Sequence, residues 1–119
     1  MLTRDAVLEI CAGYAGAVED YPFGENVTAF KVGGKLFALV LLAEEPGRLN
    51  LKCDPDWAIE LRARYDSVTP GYHANKRHWN TIRLDGSVDE DDLREMIDHS
   101  YDLVVNTLPR RERSGLLNR

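Results

Sequence analysis

The chain has 119 residues, 44% hydrophobic and 29% charged, which suits one compact domain and leaves no room for two. Twenty Asp and Glu against fifteen Lys and Arg give a net charge of -5, so no bulk positive field draws the molecule to nucleic acid or anionic lipid, and any such binding must be local. Cys11 and Cys53 form no CxxC pair, and the longest charge-free apolar run, Leu36 to Ala43, is far short of the ~20 residues a membrane helix needs, so neither a disulfide framework, a zinc site nor a bilayer span is implied.

Arg4, Asp5 and Glu9 interrupt the stretch where a signal peptide would be apolar, so the expected compartment is the cytoplasm. After Thr3, a plausible N-cap, Ala6, Val7, Ile10, Cys11 and Tyr14 recur at helical spacing, and Gly13 and Gly16 mark the exit from a first helix. Thr28 to Val32 alternates, Gly33-Gly34 is a two-residue hairpin turn, and Lys35 to Leu42 is rich in strand formers. Pro46-Gly47 turns the chain again, and Arg48 to Cys53 alternates with Leu49, Leu51 and Cys53 on one side, which completes a three-stranded meander.

Asp54-Pro55 reads as an N-cap followed by proline at the first helical position, and Trp57, Ala58, Leu61 and Tyr65 line one face of a second helix. Thr69-Pro70-Gly71 then breaks the chain before a polar segment, His73 to His78, and a short strand from Trp79 to Leu84. Ser87 and Glu90 have capping-box spacing, and Leu93, Met96, Ile97, Tyr101, Val104 and Val105 supply the apolar stripe of a long third helix stopped by Pro109. The expected order is α-β3-α-β(1-2)-α, which has no parallel crossover in its first half. It predicts a two-layer α+β domain over residues 1–108, with helices packed on an antiparallel sheet and residues 109–119 as a basic, mobile tail.

Charge is spread unevenly along this order. Residues 70–84 carry three basic and no acidic groups, whereas residues 85–107 carry one basic and eight acidic. Strand parity sharpens the basic island, because residues two apart share a face. If Phe30, Leu51 and Ile82 face the core, the opposite face collects Lys31, Arg48, Asn50, Lys52, Trp79, Thr81 and Arg83, none of them acidic. Lys76, Arg77 and His78 directly precede the last strand, so basic and aromatic groups are expected to converge on one sheet surface able to bind phosphate backbones. The competing reading is a sheet surface that carries Lys and Arg for solubility and to discourage edge pairing.

A two-residue turn at Gly33-Gly34 pairs Lys31 with Leu36 and Phe30 with Phe37, and so places Leu36, Ala38, Val40 and Leu42 on that same face. Such an apolar patch asks for a cover, and a homodimer would supply one. Catalytic patterns are thin. His73, His78 and Cys53 meet no familiar metal-ligand spacing, and no Ser or Cys with an oxyanion loop accompanies the histidines, so no catalytic set, metal site or cofactor is assigned. Asp91, Glu95, Asp98 and Asp102 form an acidic ridge on the third helix, most simply a solvated face.

Several ordered motifs carry a resemblance across residues 1 to about 113. They are Asp20-Tyr21-Pro22-Phe23-Gly24, Phe30 through Ala38 with its Gly33-Gly34 turn, and Asn50-Leu51-Lys52-Cys53-Asp54-Pro55. Thr69-Pro70-Gly71-Tyr72-His73, Asn75-Lys76-Arg77-His78-Trp79-Asn80-Thr81 and Asp98-His99-Ser100-Tyr101 follow in order. In these the chain resembles the MmcQ/YjbR family of small bacterial proteins. The resemblance implies a CyaY-like, or double-wing, α+β fold and a DNA-binding role, and it points to Lys52, His73, Lys76, Arg77, His78 and Trp79 as positions that touch nucleic acid. With Arg83 from strand parity, these are the candidate site. Without a recognition helix, weak or shape-based DNA binding through the sheet face is the expected function. The alternative is a non-catalytic interaction module or homodimer using the apolar sheet patch or the acidic third helix.

Overall fold

The computed structural model describes residues 2–41, 45–71 and 75–117. In chain order they form helix α1 (Arg4–Ala12), strands β1 (Val18–Asp20), β2 (Val27–Val32), β3 (Lys35–Leu41) and β4 (Arg48–Lys52), helix α2 (Pro55–Arg64), strands β5 (Val68–Pro70) and β6 (Trp79–Arg83), and helices α3 (Glu90–Val105) and α4 (Arg110–Leu117). The strands make one six-stranded antiparallel sheet in the order β1-β2-β3-β4-β6-β5, so the domain is α+β.

Local chemistry accounts for most of these elements. The Thr3 hydroxyl accepts the Ala6 N–H at 3.2 Å and opens α1. The Asp54 carboxylate accepts the N–H groups of Asp56 and Trp57 at 3.1 and 3.3 Å, with Pro55 in the first turn of α2, where its missing N–H costs nothing. Helix α3 is capped by Asp89 and not by Ser87: Asp89 accepts the Asp91 and Asp92 N–H groups, while the Ser87 hydroxyl is engaged with Asp85 and Ser67. A carboxylate beside the first turn also meets the positive end of the helix dipole, which a hydroxyl does less well.

The β2–β3 hairpin turns on Gly33 and Gly34 at φ 58° and 79°, a left-handed pair that only glycine adopts without strain. Lys31 pairs with Leu36 as simple hairpin pairing requires, but a bulge then intervenes and Phe30 pairs with Ala38 in place of Phe37. The extra residue reverses the expected faces beyond it. Ala38 and Val40, both fully buried, turn toward the helices, and Leu39 and Leu41 take their place on the other side. Leu42 lies outside the described residues. The buried Ser100 hydroxyl of α3 donates to the Phe37 carbonyl at the bulge at 2.6 Å, and Ser100 Oγ itself accepts the Lys52 N–H at 2.9 Å. One small polar residue therefore fixes α3 to β3 and β4 together.

The core lies between the helices and one sheet face. Phe30, Phe37, Val40, Leu49, Leu51 and Ile82 meet Val7 and Cys11 of α1, Leu61 of α2, and Ile97, Tyr101 and Val104 of α3. Each large side chain contributes about 1.5–3 kcal/mol by leaving water. Strand β1 and helix α4 were not anticipated from sequence, whereas β5 is the second strand that the expected order allowed after α2. Strands β1 and β5 have three residues each, and the segment expected as a mobile tail forms α4, whose Leu116 packs against the core at Gly16. A Cβ at Gly16 would stand 2.6 Å from Leu116 Cδ2, so the absent side chain is what admits the helix. Among the described residues no helix is long and apolar enough to cross a membrane.

Candidate nucleic-acid interface

The helices occupy one side of the sheet, and the register assigns the other side. There Lys52 stands opposite Trp79, Asn50 opposite Thr81, and Arg48 opposite Arg83, with Leu39 and Leu41 of β3 beside Asn50 and Arg48. Strands β4, β5 and β6 contain no carboxylate on either face. The middle of this strip is closed: Asn50 and Thr81 are 2% and 4% exposed, joined by a 2.7 Å hydrogen bond from the Thr81 hydroxyl to Asn50 Oδ1.

Three cations, Lys52, Lys76 and Arg77, lie toward one end, while Arg48 and the exposed Arg83 lie at the other. Lys52 and Trp79 are half-buried, Lys76 and Arg77 are exposed, and Lys76 Nζ donates to the Gly71 carbonyl at 3.3 Å. Gly71 is itself bonded through its N–H to the Trp79 carbonyl at 2.8 Å, and a Cβ there would lie 2.7 Å from Trp79 Cβ, so only glycine lets β5 and β6 approach so closely beside the indole. The turn that carries the cations is built around Asn75. Its carbonyl accepts from His78 and Trp79 at 3.1 and 2.9 Å, and its side chain accepts the Arg77 N–H at 3.0 Å. His78 is half-buried and its carbonyl accepts the Cys53 N–H at 2.7 Å, tying the turn to the end of β4. His73 lies outside the described residues.

Arg83 is not part of this cluster. It sits four residues along β6 from Trp79, roughly 13 Å at strand spacing, and its Nε is bonded to Asp85 at 3.1 Å. The Asp85 carboxyl is held below the usual carboxylate range, first by the Ser87 hydroxyl and backbone N–H and then by Arg83. Lys31 likewise is engaged by Asp20 at 2.9 Å. The structure thus brings Lys52, Lys76, Arg77, His78 and Trp79 together and leaves Arg83 apart with a carboxylate partner.

The other side of the molecule has the opposite sign. Asp54, Trp57, Glu95, Asp98, His99 and Asp102 line an open groove of about 450 Å³ between α2 and α3. Trp57 is half-buried, packs against the core and meets His99 edge-on at 4.7 Å, while His99 Nε2 accepts the Asp54 N–H at 3.0 Å. Among the described residues no three His, Cys, Asp or Glu side chains converge as metal ligands. Burial pushes the Cys11 and Cys53 thiols up to about 12, which makes both poor nucleophiles near neutral pH.

The motifs on these strands and turns fall within a match between residues 12–103 and the YjbR family model. The chain belongs to the YjbR family. It is 34% identical to the uncharacterized protein YjbR of Escherichia coli (strain K12) over 116 residues, 98% of each chain. Among solved structures, the Deinococcus radiodurans protein DR2400 is 38% identical with a TM-score of 0.91, the match covering 98% of this chain and 88% of that one. A Pseudomonas syringae protein, 22% identical, shares the fold with a TM-score of 0.74 over 86% of this chain and 98% of its own. The YjbR fold is therefore shown by structure and sequence together, and the site's chemistry has to be read from its own residues.

Arg62 belongs to this site and was not singled out from sequence. It projects from α2 toward β6, half-buried, and its Nε donates to Asn80 Oδ1 at 2.7 Å. The signal available was an arginine four residues after Ala58 and next to Leu61, inside the apolar stripe of an amphipathic helix.

Proposed function

We propose that this protein binds nucleic acid in the cytoplasm, DNA in the first instance, through the phosphate backbone at the Lys52–Trp79 end of the sheet. Lys52, Lys76 and Arg77 supply positive charge, His78 a further polar contact, and Trp79 a face on which a base can stack. One observation carries the reading. A lysine stands directly across the ladder from a tryptophan, a second lysine reaches the neighbouring Gly71 carbonyl, and the three strands involved are free of carboxylates. Arg83 joins only when a phosphate displaces Asp85. Against a net charge of -5 the contact is local, so weak and sequence-tolerant binding is the natural consequence.

The test is an anisotropy titration of labelled single- and double-stranded oligonucleotides. The parent is expected to bind, and Lys76→Ala with Arg77→Ala is expected to weaken binding of every sequence alike. Absence of binding to both forms at low salt contradicts the reading.

A second reading has its own support. The bulge in β3 puts Leu36, Leu39 and Leu41, with Val27 of β2, half-buried on the same side as the cations. A homodimer formed through this apolar strip would cover it. Sizing of the parent against Leu39→Lys separates the two: a dimer lost in the variant, with no oligonucleotide affinity in the parent, favours self-association.

A further inference from the structure

We infer that Arg62, on the helix side of the sheet, is a positioning residue for the cationic turn; the functional half of this inference rests on the nucleic-acid reading. A single guanidinium engages three acceptors that bracket the turn. Its Nε donates to Asn80 Oδ1 at 2.7 Å, and one Nη donates to the carbonyl of Lys76 and, at 3.3 Å, to that of Trp79. Arg77 and His78 lie between those carbonyls, so every candidate nucleic-acid residue of the turn sits within the span that Arg62 holds. Only arginine presents donors in a planar fork suited to this; lysine has one compact head.

Asn80 supplies the independent argument. It is 2% exposed on the core side of β6 and lines a void of about 10 Å³ with Leu51, Lys52, Cys53, Leu61, Ile82 and Met96. Its Nδ2 is buried with no hydrogen-bond partner among the described residues. A half-satisfied amide in an apolar core is costly. Its one bonded atom faces Arg62, and orienting that guanidinium is the use its presence serves. The chain of contact runs from α2 through Arg62 and Asn80 to the backbone beneath Lys76 and Trp79, and from there to the opposite face.

The experiment uses the full chain with Trp57→Phe, which leaves Trp79 as the only tryptophan of the two. Arg62→Lys and Asn80→Leu are compared with this parent by urea unfolding, acrylamide quenching of Trp79, amide exchange at Arg77, His78 and Trp79, and oligonucleotide titration across salt concentrations. Both variants are expected to unfold cooperatively, to quench more readily and to exchange faster in the turn. Oligonucleotide affinity is expected to fall about tenfold, the scale of ordering a few side chains, with the salt slope unchanged. The two substitutions are expected to be non-additive, because each breaks the same contact. Quenching and exchange identical to the parent in both variants would overturn the inference. So would a flatter salt slope in Arg62→Gln, which removes the charge and would make Arg62 a phosphate contact. A parent that binds no oligonucleotide, with a turn that loosens in both variants, would leave the ordering role standing and overturn the nucleic-acid reading alone.

Discussion

Asp85 is the residue whose removal speaks most clearly about the cations. It is bonded to Arg83 and carries a depressed pKa, so it stays charged and competes with any phosphate that approaches the far end of β6. Asp85→Asn is therefore expected to strengthen oligonucleotide binding by a few-fold and to steepen its salt dependence by up to about one phosphate's worth, a slope change near -0.9. Titrations of the variant and parent over the same salt series check this. The thiols make a second prediction at this scale. Burial raises Cys11 from an ordinary value of 9.0 to about 12. Below 9.0 the thiol is protonated in both folded and unfolded chains and its contribution is fully present. Above it, the unfolded chain releases the proton first, so stability is lost as pH rises toward 12, by up to about 1.4 kcal/mol per unit for a thiol that remains protonated in the fold. Urea unfolding between pH 8 and 11 is expected to show a shallower decline in Cys11→Ala than in the parent.

At the scale of elements, the bulge in β3 decides which substitutions the fold can bear. Val40 is fully buried against the helices, whereas Leu39 is half-buried on the other side. Val40→Lys is expected to abolish cooperative folding, because an unpaired ammonium would enter the core, and Leu39→Lys is expected to fold with little loss. Circular dichroism melts of the two variants distinguish this register from an unbulged hairpin, in which Val40 and not Leu39 would tolerate lysine. The same element shows what a sequence can reveal. Caps at Thr3 and Asp54, the Gly33-Gly34 turn and the apolar stripe of α3 are local signals, and each was legible. A bulge adds one residue with no compositional mark, and it shows only when Phe30 is found opposite Ala38. Strands β1 and β5 are three-residue edge strands too short for a period, and α4 is polar enough to read as a tail until Leu116 is seen against Gly16. That Lys52 and Trp79 share a face followed from parity, but the Arg62 contacts did not, since they join a helix to a strand and turn 14 to 18 positions away.

For the molecule as a whole, the fold separates charge that composition averages away. Helix α3 and the groove beside α2 are acidic, while the Lys52, Lys76 and Arg77 end of the sheet is basic, within a chain of net charge -5. A charged ligand thus meets attraction on one face and repulsion on the other, which sets orientation before contact. The measurement that tests this account most directly is the dependence of oligonucleotide affinity on salt. If two or three phosphates are neutralised at the Trp79 end, a log–log plot falls with a slope of about -0.9 per phosphate on duplex DNA, and Lys76→Ala flattens it by about one such unit. A slope near zero, or one that Lys76→Ala leaves untouched, contradicts it.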